Sequence, residues 1–305
     1  MFINVLTQVI ILLVLIMLGV VLAKSGILTD KGVKSMTDMV LLLVTPCVII
    51  KSFMRQFDKS LFKALLLCFL IAALAHLGFI LLSRLLLRTK DIKRQRVLQF
   101  GAIFSNCGYM SIPLQQALLG DIGVFYGSAY IAVFNVIIWS YGLYLMSGDK
   151  KTLTLKKLTL NPGIIGVAVG LVLFIFSLPV PKVISEPISY LASLNTPLPM
   201  IIIGYHLANS KLLAGIKDIK YIIALLLKLV VFPLLALGIM YIFGVRGVML
   251  ISATISCAAP TAAITTMFSA KYENDTALSV AMVSLSTILS LISMPLIITL
   301  AQLVA

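Results

Sequence analysis

Two short stretches carry most of the polar chemistry inside an otherwise apolar chain. Residues 105–113 read SNCGYMSIP, and residues 256–263 read SCAAPTAA. Each sets small polar side chains beside a proline where a greasy helix should run unbroken. Proline in a helix interior removes one backbone hydrogen bond and presses its ring against the preceding turn. Away from water, each freed N–H or C=O costs several kcal/mol unless protein or a watery cavity receives it. A helix that restarts after such a break offers unsatisfied N–H groups and about half a positive charge. A carboxylate can be held there without any Arg or Lys. The Asn106 amide and the Thr261 hydroxyl can donate to the same group. The expected substrate-binding residues are therefore Asn106, Cys107, Gly108 and Pro113 in the first stretch, and Ser256, Pro260 and Thr261 in the second. Gly108 relaxes the backbone, while Pro113 and Pro260 suit the first turn of a new half-helix. Pro46, in VTPCVII, joins the set and is echoed by Pro197 and Pro199 in NTPLPMII.

The ligand favoured by this chemistry is a small organic anion. All ten acidic residues, Asp30, Asp38, Asp58, Asp91, Asp121, Asp149, Glu186, Asp218, Glu273 and Asp275, fall in connections or near segment ends. Intramembrane carboxylates mark the ion pathways of cation/proton antiporters, so that class is disfavoured; sodium held by carbonyls and hydroxyls is not. Two basic residues lie deeper. Lys228 either snorkels to the cytoplasmic interface or attracts an anion and balances charge during coupling. His76 is either a polar packing residue or a proton relay.

The elements that must position these residues are membrane helices. Of 305 residues, 61% are hydrophobic and 11% charged, and the mean hydropathy is +1.15. A soluble domain carries about 25% charged residues, so a solvated surface cannot be built from this supply. Ten apolar segments emerge, at 5–23, 33–54, 61–83, 97–118, 122–146, 162–178, 184–207, 219–242, 247–269 and 276–302; about 20 residues cross the hydrocarbon. The first lacks a preceding Lys or Arg and a clear cleavage site, so it is expected as a retained helix. The four cysteines, Cys47, Cys68, Cys107 and Cys257, all lie in apolar segments, which speaks against a disulfide framework or a metal cluster.

Placing both termini outside puts seventeen Lys and Arg in cytoplasmic connections. It leaves six, Lys51, Arg55, Lys59, Lys63, Lys182 and Arg246, on the outer side. That asymmetry obeys the positive-inside rule and accounts for the net charge of +14 without a nucleic-acid partner. The fold expected is an all-α polytopic membrane protein of ten transmembrane helices. Residues 1–146 form a first five-helix repeat, 147–160 a basic cytoplasmic loop and 161–305 a second repeat. An odd number of spans per half inverts the second repeat, and the interrupted spans two, four, seven and nine correspond, as in secondary transporters.

Three stretches resemble the auxin efflux carrier family, which includes plant auxin exporters and bacterial permeases. They are NCGYMSIPL at 106–114, AAPTAAITTMFSAKYENDTALSVAMVSLSTILSLISMPL at 258–296, and the proline-bearing second span. The resemblance covers essentially the whole chain, and the short central loop is like that of bacterial members. It implies two inverted repeats whose helices four and nine are broken and cross at their prolines, here Pro113 and Pro260. It implies a scaffold of helices 1, 2, 6 and 7, often a homodimer interface, and a moving transport domain of helices 3–5 and 8–10. Asn106 matches the position that contacts the substrate carboxylate, and the substrates implied are auxin-like acids or dicarboxylates such as malate. An elevator-type carrier in the cell membrane, a bacterial inner membrane, follows as the expectation, with the lipid bilayer around it. A sodium-coupled symporter of related fold and a non-transporting membrane sensor are the competing readings. The chain shows no nucleotide-binding Gly-rich loop, metal-ligand spacing or nucleophile triad, so no enzyme activity, cofactor or catalytic residue is expected.

Overall fold

A computed structural model describes residues 2–149, 161–209 and 218–305. The basic positions 150, 151, 156, 157, 211 and 217, counted above with the cytoplasmic connections, lie outside the described residues. The architecture among the described residues is helical throughout: α1 (Phe2–Lys24), α2 (Asp30–Phe53), α3 (Lys59–Leu86), α4 (Ile92–Ile103), α5 (Cys107–Ser147), α6 (Pro162–Ile175), α7 (Lys182–Ser193), α8 (Pro197–Ala208), α9 (Ile219–Ile242), α10 (Gly247–Ala258), α11 (Ile264–Lys271) and α12 (Thr276–Val304). Its only β feature is one isolated bridge, between Ser105 and Thr261.

Four of the ten acidic residues, absent from the apolar interiors, turn up as helix caps. Asp58 accepts from Ser60 N and Leu61 N at 2.7 and 2.9 Å at the start of α3. Asp91, Asp218 and Asp275 do the same for α4, α9 and α12. A carboxylate at an N-terminus satisfies orphan N–H groups and meets the positive end of the helix dipole.

Six of these helices are long and apolar enough to cross a membrane: α1 from Leu6, α2, α3, α5, α9 and α12. The chain is thus a multi-pass membrane protein. The ten expected segments do not map onto ten continuous helices, and the reason lies in the backbone. Segment four is split into α4 and the first part of α5. The rest of α5 is segment five, reached through a kink at Gly120, whose φ of 67° and ψ of −160° suit glycine alone. Segment seven is divided into α7 and α8 at residues 194–196, and segment nine into α10 and α11. Segment six yields only the 14-residue α6.

Proline placement explains a second regularity. Pro46, Pro113 and Pro233 each follow a widened π-helical turn, at Val40–Val44, Cys107–Ser111 and Leu227–Val231. The proline ring crowds the carbonyl four residues back, and an extra residue in the turn relieves that crowding.

The helices pack in two apolar clusters. One gathers α3, α4, α5, α9 and α10 around Phe79, Phe104, Phe125 and Phe232. The other gathers α1, α8 and part of α12 against Tyr109, Met110 and Leu114 of α5. Helices α1 and α8 touch backbone to backbone: a Cβ on Gly204 would lie 2.0 Å from the Ile16 oxygen, and one on Gly19 2.3 Å from the Ile201 oxygen. Small residues permitting such close approach are the usual means of joining helices in lipid, where the hydrophobic effect does not hold them together.

Candidate functional site

The two broken segments meet at their breaks. Asn106 N donates to Pro260 O at 2.7 Å, and Ala262 N donates to Phe104 O at 2.9 Å. This two-bond bridge, flanking Ser105 and Thr261, satisfies backbone groups that lipid would leave bare. Further bonds tie the crossing. Thr261 Oγ1 donates to Gly101 O at 2.9 Å, Thr261 N donates to Ser286 Oγ at 3.1 Å, and Ser111 Oγ donates to Ile255 O at 3.3 Å.

The crossing point differs from the sequence expectation in two respects. The prolines were to cross; Pro260 does, but its counterpart is the extended stretch 104–106, and Pro113 lies in the helical turn beyond Cys107–Ser111. Nor does Pro260 open a half-helix. Residues 259–263 stay extended and turned, and α11 begins at Ile264. Backbone pairing across the break sets the register, and Pro260, with no N–H to give, keeps helix from closing over its own break.

The two breaks are chemically unequal. The Asn106 carboxamide makes no hydrogen bond to any described residue, although the residue is only 7% exposed. Two residues on, a Cβ on Gly108 would find no atom within 4 Å. No side chain caps the helix that starts there. The first break therefore presents an uncommitted donor, open space and uncapped N–H groups together. In the second break the hydroxyl hydrogen of Thr261 is already given to Gly101 O. Ser256 Oγ accepts from Gln115 Nε2 at 2.8 Å and donates to Ser252 O at 3.3 Å. Thr261, expected as a ligand donor, and Ser256, expected beside it in the site, both give their hydroxyl hydrogens to backbone carbonyls, those of Gly101 and Ser252. Pro46 packs on α6, its Cα 3.1 Å from where a Cβ on Gly166 would sit.

Lys228 does not snorkel. Its side chain is fully buried and donates to Ser105 Oγ and, at 3.2 Å, to Cys257 O. Ser105 Oγ lies 3.3 Å from both Tyr130 Oη and Cys257 O. The Cys257 carbonyl belongs to the last turn of α10, where carbonyls lack helical partners and carry the negative end of the dipole. Cys107 and Cys257 are buried thiols beside the same ammonium. His76 is wholly buried among aromatic rings, 4.9 Å from Tyr130 centroid to centroid. Its Nδ1 bonds to Ala72 O at 2.8 Å, so that nitrogen carries the hydrogen and Nε2, which has no partner, is a bare acceptor.

Three residues of this neighbourhood were not singled out from the sequence. Gln115 bridges Ser252 O and Ser256 Oγ and packs on Gly127. Ser286 receives the Thr261 amide, and Tyr130 meets Ser105. A glutamine two residues past Pro113 in an apolar run was the available signal for the first; a serine or tyrosine in a membrane helix is too common to stand out.

At the end of the bundle where α4, α9 and α12 begin, Arg94 reaches Asp218 at 2.5 Å and Asp275 at 3.2 Å. Partial burial acts to raise the Asp218 carboxyl. The Arg94 hydrogen bond and charge, with the Lys220 amide, outweigh it and hold the group below the ordinary carboxylate range.

A multi-pass helical bundle with two broken helices paired at their breaks defines a class of membrane carrier architecture. The chain belongs to the membrane transport protein family, the auxin efflux carrier-like family its motifs resemble: the family model matches residues 4–155 and 150–298. A relative from Methanothermobacter thermautotrophicus described as an uncharacterized transporter is 26% identical over 93% of this chain and 94% of its own length. A second uncharacterized transporter, from Methanocaldococcus jannaschii, is 23% identical over 93% of this chain and 94% of its own length.

Proposed function

We propose that this chain is a secondary carrier of small organic anions, binding a carboxylate at the first break. The observation that carries the reading is the conjunction at 106–108 of an uncommitted carboxamide, unfilled space and an uncapped helix start. A buried hydrogen bond to a charged group contributes about 1.5–3 kcal/mol, and uncapped N–H groups with the dipole add to it. Auxin-like acids and mono- or dicarboxylates fit this chemistry alike.

The transport reading counts the ten expected segments as ten crossings in two inverted halves, with segments four and nine broken at the site. Helices 1, 2, 6 and 7 act as scaffold and homodimer interface, and helices 3–5 and 8–10 move as one body past it. Direct pairing of the two breaks supports that picture, since a crossing held by both halves keeps one binding site while access alternates. Both termini lie outside, in the plasma membrane of a prokaryotic cell. Purified protein reconstituted in vesicles should take up labelled organic acid down its gradient, and the same acid should raise the melting temperature of the detergent-solubilised protein. Vesicles that pass no member of an auxin-like, monocarboxylate and dicarboxylate panel would leave the sensor reading standing instead.

A further inference from the structure

We propose that Lys228 is a built-in cation of the crossing, its ammonium filling the position that a sodium ion would take in a cation-coupled carrier. The proposal rests on the anion-carrier reading above for its functional meaning, and on the contacts of Lys228 for its geometry.

The oxygens around Nζ are those that suit a small hard cation. They are the Cys257 carbonyl, at the negative end of α10, and the Ser105 hydroxyl, with Tyr130 Oη behind it. Half-helix C-termini and unwound carbonyls are where carriers with broken helices coordinate coupling ions. Here a side chain reaches into that place from α9. The π-helical turn Leu227–Val231, widened ahead of Pro233, is the segment that presents it.

Among the described residues no anionic group answers this charge. The charged or titratable neighbours that act on Lys228 are the thiols of Cys107 and Cys257, and it acts in turn on His76. Tyr130 of α5 adds a phenol. Helix α12, which also packs on the turn, contains no Asp, Glu, Lys, Arg, His, Cys or Tyr. An ammonium taken out of water without a carboxylate carries a large desolvation cost. Two things lower that cost: the dipole end of α10, and an anion seated one residue from Ser105, at Asn106. The tethered cation thus supplies from the chain both roles that sodium would fill, bracing the crossing and balancing the cargo. A carrier so equipped has no need of sodium.

The test uses the full chain in detergent and in vesicles, with sodium chloride, methylammonium chloride and choline chloride at equal ionic strength. Wild-type protein should melt at the same temperature in sodium and in choline, and organic-acid flux should be the same in both. In Lys228→Ala the vacated position should accept a free cation. Methylammonium should then give a saturable rise in melting temperature that choline does not give, and Lys228→Met, whose side chain fills the space, should show no such rise. Sodium that stabilises the wild type or stimulates its flux overturns the proposal. A Lys228→Ala protein indifferent to both methylammonium and sodium overturns it equally. Should neither variant fold, the wild-type comparison decides alone: equal flux in sodium and choline upholds the proposal, and sodium dependence overturns it. Methylammonium rescue without flux of any organic acid would sink the carrier reading and keep the cation site; flux without rescue would do the reverse.

Discussion

The two breaks pair backbone to backbone and differ in what is left over. Around 259–263 almost every polar group is spent. Thr261 is bonded through both its amide and its hydroxyl, Ala262 through its amide, Pro260 through its carbonyl, and Ser256 twice. Around 104–108 the Asn106 amide N–H is spent on Pro260, yet its carboxamide is free and the space beside Gly108 is empty. One break is a fastening, and the other is the receptor in the function proposed above. Symmetry of fold therefore does not require symmetry of binding, and a carrier can place its recognition chemistry on one half while the other half holds it in register.

Substitutions that separate the two roles should sharpen or break this contrast. The largest effect is expected from Asn106→Ala, which removes a donor to a charged group worth about 1.5–3 kcal/mol and should weaken anion binding roughly ten- to a hundredfold. Its melting temperature without ligand should stay close to wild type, measured on the same samples. Next come the glycines. A Cβ on Gly101 would meet Met282 Sδ at 2.6 Å and Thr261 Cγ2 at 3.2 Å. Gly101→Val should therefore cost about 1–3 kcal/mol through overpacking, seen as a lower melting temperature. A Cβ on Gly108 meets nothing, so Gly108→Ala should fold normally, and Gly108→Val should push further into ligand space; normal binding in a folded Gly108→Val variant would remove 106–108 from the site. Thr261→Val deletes the hydroxyl bonded to Gly101 O and should cost stability of about 1 kcal/mol with little change in affinity. The smallest effect belongs to Arg94→Met, about 1 kcal/mol or less for a partly exposed pair. Because Asp218 is held low in the folded protein, that contribution is complete above the unfolded carboxylate value of about 3.9 and disappears as pH falls through the folded value. Melting curves of wild type and variant should accordingly converge at acid pH.

The sequence made the breaks legible because proline, glycine and small polar residues have no reason to sit together in a lipid-facing helix. The helical class was readable from composition together with the repeated apolar runs of about 20 residues. The acidic caps were half readable: Asp58, Asp91, Asp218 and Asp275 were placed at segment ends, but their capping needs the helix start to be known to the residue. Three features were beyond reach. Which side of the crossing keeps a free donor depends on partners distant in sequence, such as Ser286 for Thr261 and Gln115 for Ser256. A lysine two turns into a helix can lean outward or inward with the same sequence around it, and only packing sends Lys228 to Ser105. Pro113 is offset from the true crossing because the π-helical turn Cys107–Ser111 lies between them, which no proline spacing reveals.

The central claim is that binding belongs to the first break. It is tested most directly by titrating one organic acid that stabilises the wild type into Asn106→Ala and Thr261→Val side by side. The account predicts a Kd raised about tenfold or more for Asn106→Ala and left within about twofold for Thr261→Val. Equal losses in the two, or an unchanged Kd in Asn106→Ala, would contradict it.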